Sequence, residues 1–209
     1  MVTSTVMNRN AAKVLKGTQT EENLMRAFAG ECQARNRYTF AADTAKKSKL
    51  HVVEAVFTFT ANQEKEHAKI FWDYLKESKG TTIFIDGGYP VDLYDDAYDL
   101  LTAAQHNEYE EHDDVYKKFG ETAEQEGFIQ IAQTFKNIAS IEKTHGDRFG
   151  TFAKLIKENK LFVSDVSTGF VCLNCGYIYT GMEAPEKCPV CLHDRGYFIK
   201  AELVPLGML

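Results

Sequence analysis

Several features are scarce in this sequence, and each scarcity excludes a class of protein. Only 4 of the 209 residues are proline, so the main helix-breaking residue is nearly missing and long helices are permitted. Acidic residues outnumber basic ones, and the formal net charge of −6 argues against a protein that binds by neutralising nucleic-acid phosphates. No apolar run reaches the roughly 18 residues of a membrane span. We therefore expect no nucleic-acid partner and no membrane partner.

The N-terminal stretch and the cysteines bear on location. Residues 1–13 lack the apolar core of a secretion signal, so we expect a cytoplasmic protein. In that reducing compartment cysteines serve more often as metal ligands or free thiols than as disulfides. Cys32 stands alone, and we interpret it as a small core or interhelix residue rather than a redox thiol. The other four crowd the C-terminal end: Cys172, Cys175, Cys188 and Cys191.

The chain divides at a change in composition near residue 167. Residues 1–166 are predicted to form a helical domain and residues 167–209 a small domain that needs a metal to hold it together. Helical periodicity and end signals predict four helices, over about residues 20–47, 51–78, 93–126 and 128–157. Thr18 with Glu21 is a capping box, Asp92 is the expected cap of the third helix, and a crossover fills residues 81–92. The fold class is therefore mainly α, a four-helix bundle with one crossover.

Polar residues interrupt the apolar seam of every predicted helix. Steps of three and four along the fourth helix give apolar residues except at Glu142 and His145, and the second helix is interrupted at Glu64 and His67. The third helix carries Glu108 and Glu111 on its seam, and the first carries Glu31 and Arg35. A buried unpaired carboxylate costs several kcal/mol, so something must compensate these acids.

The spacing of these residues indicates a metal centre. Residues i and i+3 share a helix face, so Glu64 with His67, and Glu142 with His145, can each reach one cation. One Glu-x-x-His is usually a solvated face, but two copies in register with core seams are hard to obtain by accident. With a Glu from each remaining helix they form the ligand set of two-metal carboxylate bundles. Iron or manganese suits this mixture of donors, and zinc also fits.

Two points in the third helix stay open. Glu111 is a surplus carboxylate, either a core acid bonded to Tyr38 or Tyr116, or an extra ligand used in one oxidation state. A register slip of three would also replace one ligand by Gln105 and make Glu108 the surplus acid.

The C-terminal cysteines have the spacing C-x2-C-x12-C-x2-C. Four thiolates so arranged form a closed tetrahedral site for zinc or one iron. Gly176 and Pro189 favour tight knuckles whose backbone amides point at sulfur, and such bonds tune a redox potential. A closed site cannot bind substrate directly, so with iron its role would be electron transfer. The small core is predicted to consist of Tyr177, Tyr179 and Phe198.

Taken together, these motifs resemble the rubrerythrin family over about residues 17–203. The resemblance rests on residues 27–38, residues 64–68, the Glu108/Glu111 and Glu142/His145 pairs and the cysteine knuckles. It implies a ferritin-like bundle with a di-iron centre of two Fe, followed by a rubredoxin-like domain with one Fe in a four-cysteine site.

The resemblance also implies a role for each residue. Glu64 and Glu142 would bridge the two irons, and Glu111 would be an additional glutamate that exchanges with the His67 position as one iron moves between redox states. These three carboxylates are the expected catalytic residues. The terminal ligands would be Glu31 and His67 on one iron and Glu108 and His145 on the other, and the rubredoxin-type iron would be held by Cys172, Cys175, Cys188 and Cys191.

The activity implied by the resemblance is a non-haem di-iron peroxidase that reduces hydrogen peroxide to water in oxidative-stress defence. It would be re-reduced through the four-cysteine iron by an external electron donor, a rubredoxin or a reductase, in a homodimer or higher homo-oligomer with head-to-tail contacts. Two alternatives remain: a ferroxidase or iron-handling protein, and a non-enzymatic, zinc-stabilised interaction protein.

Overall fold

A computed structural model describes residues 13–204 of the chain. The prediction that residues 1–13 contain no secretion signal concerns a stretch that lies outside this range, except for Lys13. The predicted four-helix bundle is confirmed, with a third helix that is continuous through a π-helical turn, Glu111–Val115. Between residues 13 and 204 no helix has both the length and the apolar character needed to cross a bilayer. The helices are α1 Gln19–Lys47, α2 His51–Tyr74, α3 Ala97–Glu110, α4 Tyr116–Gln125 and α5 Ile129–Lys157.

The helix ends follow local capping chemistry. Thr18 caps α1 as predicted, because its hydroxyl accepts the N–H of Glu21 at 3.1 Å. The predicted start of the third helix is wrong: Asp96, not Asp92, caps it, accepting the N–H of Tyr98 at 2.7 Å. Asp92 instead pairs with Arg37. A side chain with a cationic partner elsewhere is unavailable as a cap, so the helix begins four residues later than expected.

The π-helical turn changes which residues of the third helix face the core. In it the N–H of Tyr116 bonds the carbonyl of Glu111, one residue further than in an α-helix. Tyr116 is therefore 1% exposed, whereas Val115, the predicted seam residue, is half-buried. The predicted seam of α1 also errs at one place, because Arg35 is exposed and Ala34 is buried.

The C-terminal region is a three-stranded antiparallel sheet with strand order β2-β1-β3. Its core is small, with Phe170 and Phe198 buried beside two of the cysteines, and with Tyr177 and Tyr179 packed against it. The expected domain boundary at residues 166/167 falls inside β1 and stays a prediction. The strands are β1 Val163–Cys172, β2 Ile178–Glu183 and β3 Phe198–Lys200.

The sheet region is seated on the turn between α1 and α2. The rings of His51 and Tyr197 stack with centroids 4.0 Å apart, and Ile199 belongs to the same apolar core as the bundle. Gly196 permits the close approach, because a Cβ there would lie 1.8 Å from the carbonyl oxygen of Lys49. Any other residue at this position would force the backbone apart.

Candidate metal centres

Four glutamates and two histidines meet inside the bundle, one or two from each long helix. The four carboxylates are at most 2% exposed and His145 is fully buried. Their donor atoms form two groups, each with every atom within 4.8 Å of the others. The groups are Glu31, Glu64, His67 and Glu142, and Glu64, Glu108, Glu142 and His145.

Two carboxylates are shared between the groups, and each presents one oxygen to each. Glu64 places Oε1 2.9 Å from His145 Nδ1 and Oε2 3.1 Å from His67 Nδ1. Glu142 mirrors it, with Oε2 2.8 Å from His145 Nδ1 and Oε1 3.0 Å from His67 Nδ1. A carboxylate that divides its oxygens between two neighbouring donor sets has the orientation needed to bridge two cations.

The two unshared carboxylates are each oriented by a tyrosine. Tyr116 donates its hydroxyl to Glu31 Oε1 at 2.5 Å, and Tyr38 donates to Glu108 Oε1. The other oxygens, Oε2 of Glu31 and of Glu108, lie 3.8 and 3.6 Å from the nearer imidazole Nδ1. Hydrogen bonds to the outer oxygen fix each carboxylate so that the inner oxygen faces the centre. One of the two open alternatives for Glu111 had it bonded to Tyr38 or Tyr116, whereas the structure shows these tyrosines bonded to Glu108 and Glu31.

The donor set fits two divalent cations. Among the described residues, at least one oxygen of each of the four glutamates, and both ring nitrogens of His145, are buried without a hydrogen-bond partner. Buried polar atoms are nearly always satisfied, so atoms left unpaired and facing a common point indicate a missing positive charge. Four carboxylates balance the charge of two divalent ions, and mixed oxygen and imidazole donors suit iron.

Without metal, protons take the place of the cations. Burial alone would lower the pKa of His67, but the adjoining carboxylates of Glu142 and Glu64 raise it to about 9. Burial, with repulsion from Glu142 and Glu64, raises the pKa of Glu31 well above its ordinary value. Metal ligands must be deprotonated, so cations and protons compete for this cluster.

Glu111 lies beside the two groups rather than in either of them. It opens the π-helical turn, is half-buried and lines a cavity that also reaches Tyr116. Burial and the nearby charge of Glu108 raise its pKa well above the ordinary value. Gln105 approaches Tyr109 instead of the centre, so the open alternative register is excluded. Four residues off the predicted seams were expected at the surface: Glu66, His106 and Glu110 are exposed, whereas His112 is half-buried with its Nδ1 2.7 Å from the carbonyl oxygen of Ala139.

The four C-terminal cysteines form the second cluster. All four sulfurs lie within 4.8 Å of one another, with Sγ of Cys172 3.7 Å from Sγ of Cys191 and Sγ of Cys175 3.6 Å from Sγ of Cys188. No pair is at the roughly 2 Å of a disulfide, so four thiols converge as a tetrahedral metal site requires. Cys172 and Cys188 are buried, whereas Cys175 is exposed. One edge of the site therefore reaches the surface.

The two knuckles have the same backbone turn. The carbonyl of Cys172 accepts the N–H of Gly176 at 2.8 Å, and the carbonyl of Cys188 accepts the N–H of Leu192 at 2.9 Å. Gly176 has φ of 78° and Leu192 has φ of 63°, so both occupy the left-handed region. Glycine is the residue expected there, and a leucine in that conformation is strained.

Backbone amides point at the sulfurs, as predicted. The N–H of His193 bonds the Cys191 sulfur and lowers the pKa of that thiol to about 6. Burial, in contrast, raises the pKa of the Cys172 thiol to about 12, although amides of the knuckle also bond it. Cys32 is separate and half-buried, and burial raises its pKa, which makes it a poor nucleophile.

The helical bundle with its two-metal carboxylate donor set, joined to a four-cysteine module, defines the class of ferritin-like di-iron proteins with a rubredoxin-type centre. Residues 22–155 match the sequence model of the family Rubrerythrin, and residues 170–199 match that of the rubrerythrin rubredoxin-like domain. The chain belongs to the rubrerythrin family. It thus carries a di-iron carboxylate site and a four-cysteine rubredoxin-like site.

Individual relatives agree with this assignment along most of the chain. Rubrerythrin of Clostridium perfringens is 46% identical over 89% of this chain and 96% of its own length. Rubrerythrin-1 of Clostridium acetobutylicum is 47% identical, with the same shares covered. Among solved structures, mixed-valence nigerythrin aligns with a TM-score of 0.57 at 26% identity, covering 94% of this chain and 96% of that one.

Proposed function

We propose that this protein is a non-haem di-iron peroxidase that reduces hydrogen peroxide to water in oxidative-stress defence. The observation that carries the proposal is the buried pair of donor groups with a surplus, half-buried glutamate beside it. Two bound ferrous ions supply one electron each, and with two protons these reduce one peroxide to two waters, so the O–O bond breaks without releasing a radical.

The protein's residues position the reaction. Glu64 and Glu142 each place one oxygen toward each donor group, so they would bridge the two cations when these are bound. The terminal ligands are Glu31 with His67 and Glu108 with His145. The two tyrosines keep the terminal carboxylates from rotating.

Glu111 is the acid placed to serve the substrate. It is accessible from a cavity while the four other carboxylates are buried, so its carboxyl can carry a proton between solvent and the centre. From the same place the Glu111 carboxylate can exchange with His67 as a ligand of one iron when the redox state of that iron changes.

Electrons return through the cysteine module. The thiolates of Cys172, Cys175, Cys188 and Cys191 hold one iron, and the exposed edge at Cys175 gives an external rubredoxin or reductase a short path to it. We further propose a homodimer or higher homo-oligomer with head-to-tail contacts, located in the cytoplasm.

Anaerobic reduction of the iron-loaded protein, followed by 1.5 equivalents of hydrogen peroxide per chain, tests the function, because the reduced chain holds three electrons, two at the di-iron site and one at the four-cysteine iron. We expect the visible spectrum to show both centres reoxidised, and much faster than with an equal amount of oxygen. Faster oxidation by oxygen with mineral formation would indicate a ferroxidase. A colourless protein that holds only zinc after expression in iron-rich medium would indicate the interaction protein.

Glu111→Ala tests the residue role. We expect peroxide turnover to fall by on the order of 10²-fold, the usual contribution of a positioned acid or base, while both sites keep their metal. Glu121→Ala, which is exposed on α4 and does not line the cavity beside Glu111, is the matched control and should behave as wild type. Unchanged turnover in Glu111→Ala at full metal content would remove this role.

A further inference from the structure

A cavity of about 220 Å³ lies between α1, the π-helical turn and the crossover segment. Glu111 and Tyr116 form part of its inner wall, and residues 87–90 form part of its outer wall. By the volume that one water occupies in the liquid, about 30 Å³, the cavity has room for roughly seven waters. That is ample for hydrogen peroxide, and since a cavity of about 150 Å³ can already hold benzene, selection against larger molecules has to lie at the opening rather than in the volume.

The inner end of the cavity is separated from the di-iron donor cluster by one layer of side chains, which includes Glu111 and Tyr116. Glu111 is half-buried and faces this space, whereas the four carboxylates of the two donor groups are at most 2% exposed. Tyr116, the other inner residue, donates its hydroxyl to Glu31. A small molecule in the cavity thus meets one acid directly and lies one side chain from a metal ligand.

The outer wall is held to α1 at two points. Arg26 bonds both the side chain of Asp86, at 2.8 Å, and its backbone carbonyl, at 3.2 Å. Arg37 pairs with Asp92 at 2.6 Å, and Asn107 donates to the same carboxylate oxygen at 2.8 Å. The segment between these two attachments spans the cavity, so its position is set by contacts within the described chain.

Tyr89 is the one bulky side chain of the spanning segment that lines the cavity. Its ring folds back over Gly87, where a Cβ would lie 3.1 Å from the Tyr89 hydroxyl oxygen. The residue is 43% exposed, so one part of it meets solvent while the other faces the cavity. This is the placement of a side chain that narrows an opening.

We propose that this cavity is the route by which peroxide reaches the di-iron site, and that Tyr89 sets its size limit. Hydrogen peroxide passes, and organic hydroperoxides with a branched or aromatic group are excluded. The inference rests on the proposed peroxidase function, to which it adds a substrate class and a specificity-determining residue.

The first test compares substrates in the iron-loaded, full-length protein. Tyr89→Ala should raise the ratio of kcat/KM for cumene hydroperoxide to that for hydrogen peroxide by about tenfold or more, within the range set by hydrophobic pockets. Tyr94→Ala is the matched control, because Tyr94 lies on the same crossover with similar exposure, 47%, and does not line the cavity. Its ratio should equal that of wild type, and so should the ratio of Tyr89→Phe, which keeps the ring.

The second test is independent of turnover. Azide association with the oxidised, iron-loaded protein is followed by visible absorption, and Tyr89→Ala should accelerate it several-fold while Tyr94→Ala does not. Gly87→Ala, whose methyl group would meet the Tyr89 ring, should also change the rate.

The outcomes separate the two proposals. If Tyr89→Ala changes neither the substrate ratio nor the azide rate in a protein with wild-type circular dichroism and metal content, the cavity is not the route. If azide rates follow Tyr89 while wild type reduces no peroxide, the route stands and the peroxidase function fails.

Discussion

The two metal centres of this chain are assembled in opposite ways. The bundle centre collects residues from four helices, separated by as much as the interval from Glu31 to His145, within an apolar core that includes Phe57, Phe135 and Phe149. The cysteine centre is formed by two short knuckles above a core of five buried residues. In the first case the fold positions the ligands, and in the second the metal supplies the cross-link that the core is too small to replace.

Loss of a buried cysteine should have the largest effect, and it tests this difference directly. In Cys172→Ser we expect the sheet region to lose its metal and unfold, because the binding energy of a structural site, on the order of 10 kcal/mol, is also folding energy. The bundle should stay helical. Metal analysis and amide hydrogen exchange across β1 measure the change, with Cys32→Ser as control. Protected β1 amides in a metal-free variant would show that the small apolar core is sufficient to keep the sheet region folded without a metal.

A change around the bundle centre should be smaller and confined to binding. Tyr116→Phe removes the hydroxyl that orients Glu31, and loss of such a supporting contact typically weakens metal affinity 10- to 100-fold. Competition with a chelator reports the affinity, and thermal unfolding should change little. Tyr74→Phe, which removes a hydroxyl bonded to Thr134 in the same region, is the control. Equal metal affinities in Tyr116→Phe and Tyr74→Phe would mean that Glu31 does not need the Tyr116 hydroxyl to hold its orientation.

The smallest predicted effect lies in the second knuckle. Leu192→Gly should stabilise the sheet region by about 1 kcal/mol, because it relieves a left-handed leucine. Val190→Gly, in the same knuckle and similarly exposed but with ordinary backbone angles, should destabilise it instead. Calorimetry of the metal-loaded variants gives both values. A lower melting temperature for Leu192→Gly would show that the leucine side chain contributes contacts worth more than its strain.

Sequence reasoning was most informative where a charged or polar residue lies on an otherwise apolar helix face. Glutamates and histidines on apolar seams stand out because burial without compensation is costly, and the structure brings four of the five seam glutamates and both seam histidines into the two donor groups. The cysteine spacing is equally direct, since a two-residue interval between thiols forms a knuckle whatever the rest of the fold does.

What sequence reasoning missed depends on contacts between distant segments. Asp92 and Asp96 are equally good caps, and only the position of Arg37 on another helix decides between them. The tyrosines were recognised as hydrogen-bond donors, but their partners could not be chosen, because Tyr116 and Glu31 are 85 positions apart. Four of the five residues in the π-helical turn are weak helix formers, but weak propensity does not distinguish a π-helical turn from an ordinary stretch of α-helix.

That turn also determines the phase of the third helix. Glu108 and Tyr116 both face the interior, yet eight positions in a regular helix at about 100° each would leave them about 80° apart. The wider turn contains one extra residue, and this removes the offset. Gly120 and Ala123, further along the helix, are therefore buried on the same face as Tyr116. The parts of the helix before and after the π-helical turn are therefore rotated relative to each other about the helix axis, compared with a continuous α-helix. Deleting one residue among 112–114 would leave Glu108 and Tyr116 seven positions apart, about 20° from the same face of a regular helix, so the wider turn could close without turning the residues beyond it away from the metal site.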